Sequence, residues 1–112
     1  MSCIFCSIVN GDIPSKKVYE DEVCYCFLDI NPQAKVHALV VPKVHIGSCD
    51  EINEENSTAV AKIFEAIPKI ASLLSLGDGY RVVSNIGENG CQSVRHLHFH
   101  ILGGEKLSEN MA

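Results

Sequence analysis

Short runs rich in β-branched and aromatic residues, Lys17 to Glu20 and Val23 to Leu28, flank the polar pair Asp21 and Glu22 and predict a β-hairpin. Ala38 to Val41 is a continuous apolar run, suited to a strand buried on both faces and stopped by Pro42. The period then changes. Val60, Ile63, Phe64, Ile67, Ile70, Leu73 and Leu74 recur at helical spacing, with Asn53 as the cap, Glu54 and Glu55 in the first turn, and Pro68 expected to kink or split the helix. Gly77-Asp78-Gly79 is the expected stop, Tyr80 to Ser84 a fourth strand, and Asn85 to Ser93 a loop punctuated by Gly87 and Gly90. Arg95 to Leu102 is the last strand, and Cys3 to Val9 a short N-terminal helix broken by Gly11 to Ser15, with Pro14. The prediction is an α+β fold: a mainly antiparallel five-stranded sheet, one long helix and a short N-terminal helix, in one domain over residues 1–112.

Composition narrows the function classes. Apolar residues make up 46 % of the chain and charged residues 21 %, which suits a folded core rather than a disordered chain. A net charge of -5 without a basic run excludes broad attraction to nucleic acid or to an anionic membrane. The first thirty residues lack a signal-peptide pattern and no apolar run is long enough to span a bilayer, so a cytoplasmic location is expected. In that setting the six cysteines are expected to be reduced: Cys3-Ile4-Phe5-Cys6 as a metal hook or thiol pair, and Cys24, Cys26, Cys49 and Cys91 as plain thiols.

The chemistry concentrates in His96-Leu97-His98-Phe99-His100. On a strand, alternate side chains share a face, so the three imidazoles line one side, neighbours about 6.6 Å apart at Cα, while Leu97, Phe99 and Ile101 face the core. A half-exposed polar face is the bland alternative, and a catalytic zinc held by three histidines is a second. The preceding loop, Asn85 to Ser93, argues for an anion instead, because its glycines allow main-chain N–H groups to turn inward as a nest and Gln92 and Ser93 add donors.

His96-Leu97-His98-Phe99-His100-Ile101-Leu102 resembles the His-x-His-x-His-x-x signature, with apolar x, of the histidine triad nucleotide-binding proteins. Asp29-Ile30-Asn31-Pro32-Gln33-Ala34, His37 to Lys43 and Gly90-Cys91-Gln92-Ser93-Val94 through Gly103-Gly104 are similar to that family's other signature segments, in the same order. The short chain and the Gly90 to Ser93 segment look more like the Hint-like, protein-kinase-C-inhibitor-like branch. The resemblance implies a nucleotide hydrolase of the purine nucleoside 5'-phosphoramidase type, with aminoacyl adenylates as further substrates. A dinucleoside polyphosphate hydrolase, or a nucleotide-binding regulatory protein with incidental hydrolysis, are the alternatives.

By the same resemblance, His98 attacks the α phosphorus to form a nucleotidyl-histidine that water hydrolyses, so that two easier displacements replace one hard one. His100 contacts the phosphate, Ser93 assists the leaving group, His37 sits behind the triad and His96 completes it. Asp29 meets the ribose, Ile30 lies beside it, Asn85 contacts ribose or phosphate, and Gly90 and Gln92 complete the substrate-binding set. A two-fold homodimer is also implied.

Family members that begin with a similar Cys-x-x-Cys segment bind zinc, and the resemblance extends that role to Cys3, Cys6, His45 and His96. Such a closed set is structural, and no cofactor is needed for the chemical step. Two buried thiols and a surface histidine remain the alternative.

Overall fold

Five strands, β1 (Lys17–Glu20), β2 (Cys24–Leu28), β3 (Val36–Pro42), β4 (Tyr80–Val83) and β5 (Phe99–Gly103), pair in the order β1-β2-β3-β5-β4 in a computed structural model that describes residues 3–110. Every pairing is antiparallel. A six-residue helix α1 (Ile4–Val9) precedes the sheet, and a 17-residue helix α2 (Ser57–Leu73) lies between β3 and β4. Among the described residues no helix is long and apolar enough to cross a membrane. The expected domain bounds, Met1 and Ala112, lie outside the described residues.

Both faces of the sheet are covered, which is why β3 is apolar almost throughout. On one face Cys24, Cys26, Ala38, Val40, Phe99 and Ile101 pack against Ile63, Ala66, Ile67 and Ile70 of α2. On the other, Tyr25, Phe27, Leu39 and Val41 pack against Phe5 and Ile8, which stand one helical turn apart on α1. This second face carries the histidines.

The sequence prediction holds for the class and element order and moves at several ends. β2 starts at Cys24 rather than Val23, because the Val23 and Cys24 N–H groups both donate to Asp21 Oδ1 at 2.8 Å and close the hairpin turn. Asn53 does not cap α2 directly. Its Oδ1 accepts from the N–H groups of Glu55 and Asn56, making a separate turn that holds Glu54 and Glu55 ahead of the helix. Pro68 does not split α2, which runs through it. The helix ends at Leu73, before the glycines: Ser75 takes the left-handed conformation (φ 59°), its N–H donates to Ser72 O, and the Leu76 N–H reaches back to Ala71 O. That is a Schellman closure with serine where glycine is usual.

The last strand is shorter than predicted, beginning at Phe99 rather than Arg95. The ladder with β3 stops at Val40 paired with Phe99. Two residues further along β3 lies Pro42, which has no N–H to donate and whose carbonyl accepts from His96 Nε2 at 2.9 Å. The Leu97 N–H turns away to Ile46 O at 2.6 Å. His96 and His98 thus stand on a bent lead-in to β5, still opposite to Leu97 and Phe99.

Candidate functional site

His98 and His100 lie on the α1 face of the sheet, at the start of β5, with His37 beside them on β3 and Asp29 at the end of β2. His98 is buried, and its Nδ1 donates to His96 O at 2.7 Å. In the neutral ring, with one nitrogen held as donor, the lone pair is on Nε2. A main-chain carbonyl thus sets the tautomer.

The proton positions of the neighbouring rings follow from their partners. The Gln33 N–H donates to His37 Nδ1 at 3.0 Å, so in the neutral ring His37 Nε2 carries hydrogen and donates to His100 Nδ1 at 2.8 Å. His100 therefore presents Nε2–H. Burial, and then the neighbouring His98 and His37, push His100 down to about 4, with Asp29 opposing; burial also lowers His37. Both rings are neutral near pH 7, as this chain of donors requires.

Because the unfolded ring titrates near 6.5 and the folded ring near 4, the unfolded state binds more protons between those values. The stability from a neutral His100 is therefore complete above about pH 6.5 and falls away as the pH drops towards 4, by about 3 kcal/mol at most. Urea unfolding at pH 7.5 and 4.5 is expected to show this loss in the wild type and a smaller one in His100→Asn. Equal losses would show that another group carries it.

Asp29 Oδ1 accepts from the Asn31 N–H at 2.8 Å, and Oδ2 lies 3.5 Å from His37 Nε2, so the carboxylate closes a turn and faces the relay. Ile30 beside it is 91 % exposed. Ser93 is exposed on the loop that leads to the histidines, where it lines a cleft with Gly87, Glu88, Gln92 and Arg95. A larger open hollow, lined by Lys17 to Glu22 and Lys43, holds none of the predicted site residues.

The structure corrects two expectations about the site. In the loop, the N–H groups of Gly87, Cys91 and Gln92 are spent internally, on Gln92 Oε1, Glu88 O and Gly87 O. Gln92 offers no donor to a ligand, because both its amide hydrogens go to Gly47 O and Val94 O and its main-chain N–H goes to Gly87 O. It braces the loop instead. His96 is not part of a face that meets substrate, since it is fully buried, with Nε2 on Pro42 O and Nδ1 turned to the thiols. Asn85 spends one amide hydrogen on Gly90 O, and Gly90 is required by close packing, since a Cβ there would meet the Ile86 carbonyl.

Among the described residues two groups of ligand-type atoms form, each within 4.8 Å: Cys3, Cys6, His45 and His96, and Asp29, His37 and His100. Their protons separate them. In the first, His96 Nε2–H donates to Pro42 O and leaves Nδ1 free, 3.3 Å from Cys3 Sγ, 3.4 Å from Cys6 Sγ and 3.2 Å from His45 Nδ1. A tetrahedral zinc with bonds of about 2.0 Å to nitrogen and 2.3 Å to sulfur sets its ligand atoms roughly 3.3–3.8 Å apart, so this donor set fits. In the second, His37 Nε2 holds its hydrogen while Nδ1 accepts from Gln33, so the group is a relay and not a cage. His98 belongs to neither, which removes the basis for a zinc held by all three triad histidines.

A family model described as scavenger mRNA decapping enzyme C-terminal binding matches residues 2–111. Protein HitA of Neisseria gonorrhoeae is 43 % identical over 102 residues, covering 91 % of this chain and 95 % of that protein. Protein pkiA of Dictyostelium discoideum is 47 % identical over 109 residues, covering 94 % and 85 %. A histidine triad protein from Clostridium difficile superposes with a TM-score of 0.94 at 47 % identity, covering 99 % of this chain and 97 % of that one.

The chain belongs to the histidine triad (HIT) family. A HIT family hydrolase from Clostridium thermocellum superposes with a TM-score of 0.95 at 41 % identity, covering 99 % and 97 %. A histidine triad nucleotide-binding protein from Candida albicans does so at 0.82 and 34 %, covering 99 % and 87 %.

Four contributors to this HIT site escaped the sequence reading. The Gln33 N–H and the Pro42 carbonyl are main-chain groups with no side-chain signature. Ser84, whose Oγ donates to His98 O at 2.9 Å, read as a strand end. Phe5 read as helix filler, although its place between Cys3 and Cys6 puts it wherever the hook goes.

Proposed function

We propose that this chain is a purine nucleoside 5'-phosphoramidase, cleaving the phosphorus–nitrogen bond of a nucleoside 5'-phosphoramidate and, by the same chemistry, aminoacyl adenylates. One observation carries the reading: His98 Nδ1 donates to the His96 carbonyl, so the neutral ring carries its lone pair on Nε2, next to a neutral His100 whose Nε2–H is a donor. The Clostridium thermocellum and Candida albicans relatives, a hydrolase and a nucleotide-binding protein, agree with it.

His98 Nε2 attacks the α phosphorus, the phosphorus–nitrogen bond breaks, and the departing amine takes a proton from the Ser93 hydroxyl, which regains one from the water that attacks in the second step. His100 Nε2–H donates to a phosphate oxygen, where charge grows in the transition state. Water then attacks the nucleotidyl-histidine, releasing the monophosphate and restoring the ring. Asp29, Ile30 and Asn85 hold the nucleoside in this scheme.

Cys3, Cys6, His45 and His96 hold a zinc ion, which supplies a cross-link between α1, the segment after β3 and the histidine segment. No step of the reaction passes through it. We also infer a two-fold dimer, supported by the half-exposed Phe64 and Leu73 on α2 and by β4 at the sheet edge.

Steady-state rates on adenosine 5'-phosphoramidate and diadenosine polyphosphates test the substrate class. The expected result is a preference for the phosphoramidate of at least about tenfold in kcat/KM, equivalent to about 1.4 kcal/mol. Equal rates on both would remove the assignment.

A further inference from the structure

The ring of Phe5 lies between the predicted metal hook and the predicted nucleophile. It is buried, stands 5.1 Å from the His98 ring at 88° and 6.0 Å from the His96 ring at 68°, and rests on Phe27 at 5.6 Å. Its neighbours in sequence, Cys3 and Cys6, both reach His96 Nδ1, and the carbonyl of that same His96 holds His98 Nδ1. Two short routes therefore run from the hook to His98, one through the His96 main chain and one through Phe5.

A single hydrogen bond does not by itself hold an imidazole against rotation. If the ring turns over, carbon replaces nitrogen at the His96 carbonyl and Nε2 no longer points where it did. The His98 ring meets His100 at 5.1 Å and 69°, and Phe5 edge to face. Edge-to-face aromatic pairs are directional, and attack on phosphorus tolerates little misplacement of the nucleophile.

We propose that Phe5 is the positioning residue for His98, and that its seat between Cys3 and Cys6 makes the hook felt in the rate of nucleotidyl transfer. This rests on the nucleophilic reading of His98. A Phe5 that merely fills the core would affect stability and leave the ring's state and the chemical step unchanged.

The test is Phe5→Leu in the full, zinc-loaded chain, with thermal unfolding and zinc content as controls. Three quantities are read: the rapid-quench rate of nucleotide attachment from adenosine 5'-phosphoramidate, the affinity for AMP, and the 15N imidazole resonances of His98. The attachment rate is expected to fall roughly three- to tenfold, from the usual strength of an aromatic pair. AMP affinity is expected to move by less than about twofold, a loss confined to the transition state. His98 should pass from one tautomer to a mixture.

An unchanged attachment rate with a single tautomer would overturn the proposal, as would a loss confined to AMP affinity. Should Phe5→Leu fail to fold, Phe5→Met fills the same space with a flexible chain and faces the same readouts. If the wild type never acquires nucleotide, the enzymatic reading fails. The tautomer comparison would then still decide whether Phe5 holds the ring.

Discussion

His98→Asn is expected to lower kcat by on the order of 10³-fold or more while the protein still folds and still binds the monophosphate. Asparagine is the informative replacement because its side-chain amide can stand where Nδ1 stands and donate to the His96 carbonyl, preserving the bond that closes this turn. Only the ring's far nitrogen is lost. His98→Gly would also open a cavity against Phe5 and His100, mixing a packing defect with the chemical one. The measurement pairs single-turnover kinetics with AMP binding. Turnover within about tenfold of wild type would exclude a covalent role for this ring.

Removing the metal is expected to have the largest effect on stability. Four donors come from three separated stretches of chain, Cys3 and Cys6, His45, and His96, so one ion closes long loops. An ion present at about a thousand times its dissociation constant stabilises by about 4 kcal/mol. For a domain near this size that corresponds to roughly 15 °C in Tm. Burial and the nearby Cys3 push the Cys6 thiol up when no cation is near, and a bound cation reverses that by favouring the thiolate.

Elemental analysis of protein purified without chelators should give one zinc per chain, and chelation or Cys6→Ser should lower Tm by that amount. Residual hydrolysis should persist wherever the fold persists, reduced three- to tenfold through Phe5, since none of the four proposed zinc ligands has a part in the proposed chemical steps. A metal-free protein with an unchanged Tm would contradict the site.

What was legible in the sequence was local or periodic. The helical period from Val60 to Leu74, the apolar run of β3 and the alternation around His98 each report burial at neighbouring positions, and each led to the observed element. The approach of Cys3 to Cys6 was legible because two cysteines three apart on a helical turn converge without help from the rest of the chain.

What failed to show was set by partners distant in sequence. The late start of β5 depends on Pro42 in the adjacent strand. The stop at Ser75 depends on backbone carbonyls accepting a bond that glycine usually makes easy. Gln92 looked like a ligand donor because its type fits that use, and only the fold reveals that Gly47 and Val94 consume both hydrogens. Phe5 differs again: its sequence position was informative, but its meaning required knowing that α1 lies over the histidine face.

Rapid-quench intact-mass spectrometry with adenosine 5'-phosphoramidate tests the central claim most directly. The account predicts a transient adduct of one adenylyl group, mapped by peptide sequencing to His98 and absent from His98→Asn. Turnover that proceeds with no adduct at any time, or an adduct on another residue, would contradict it.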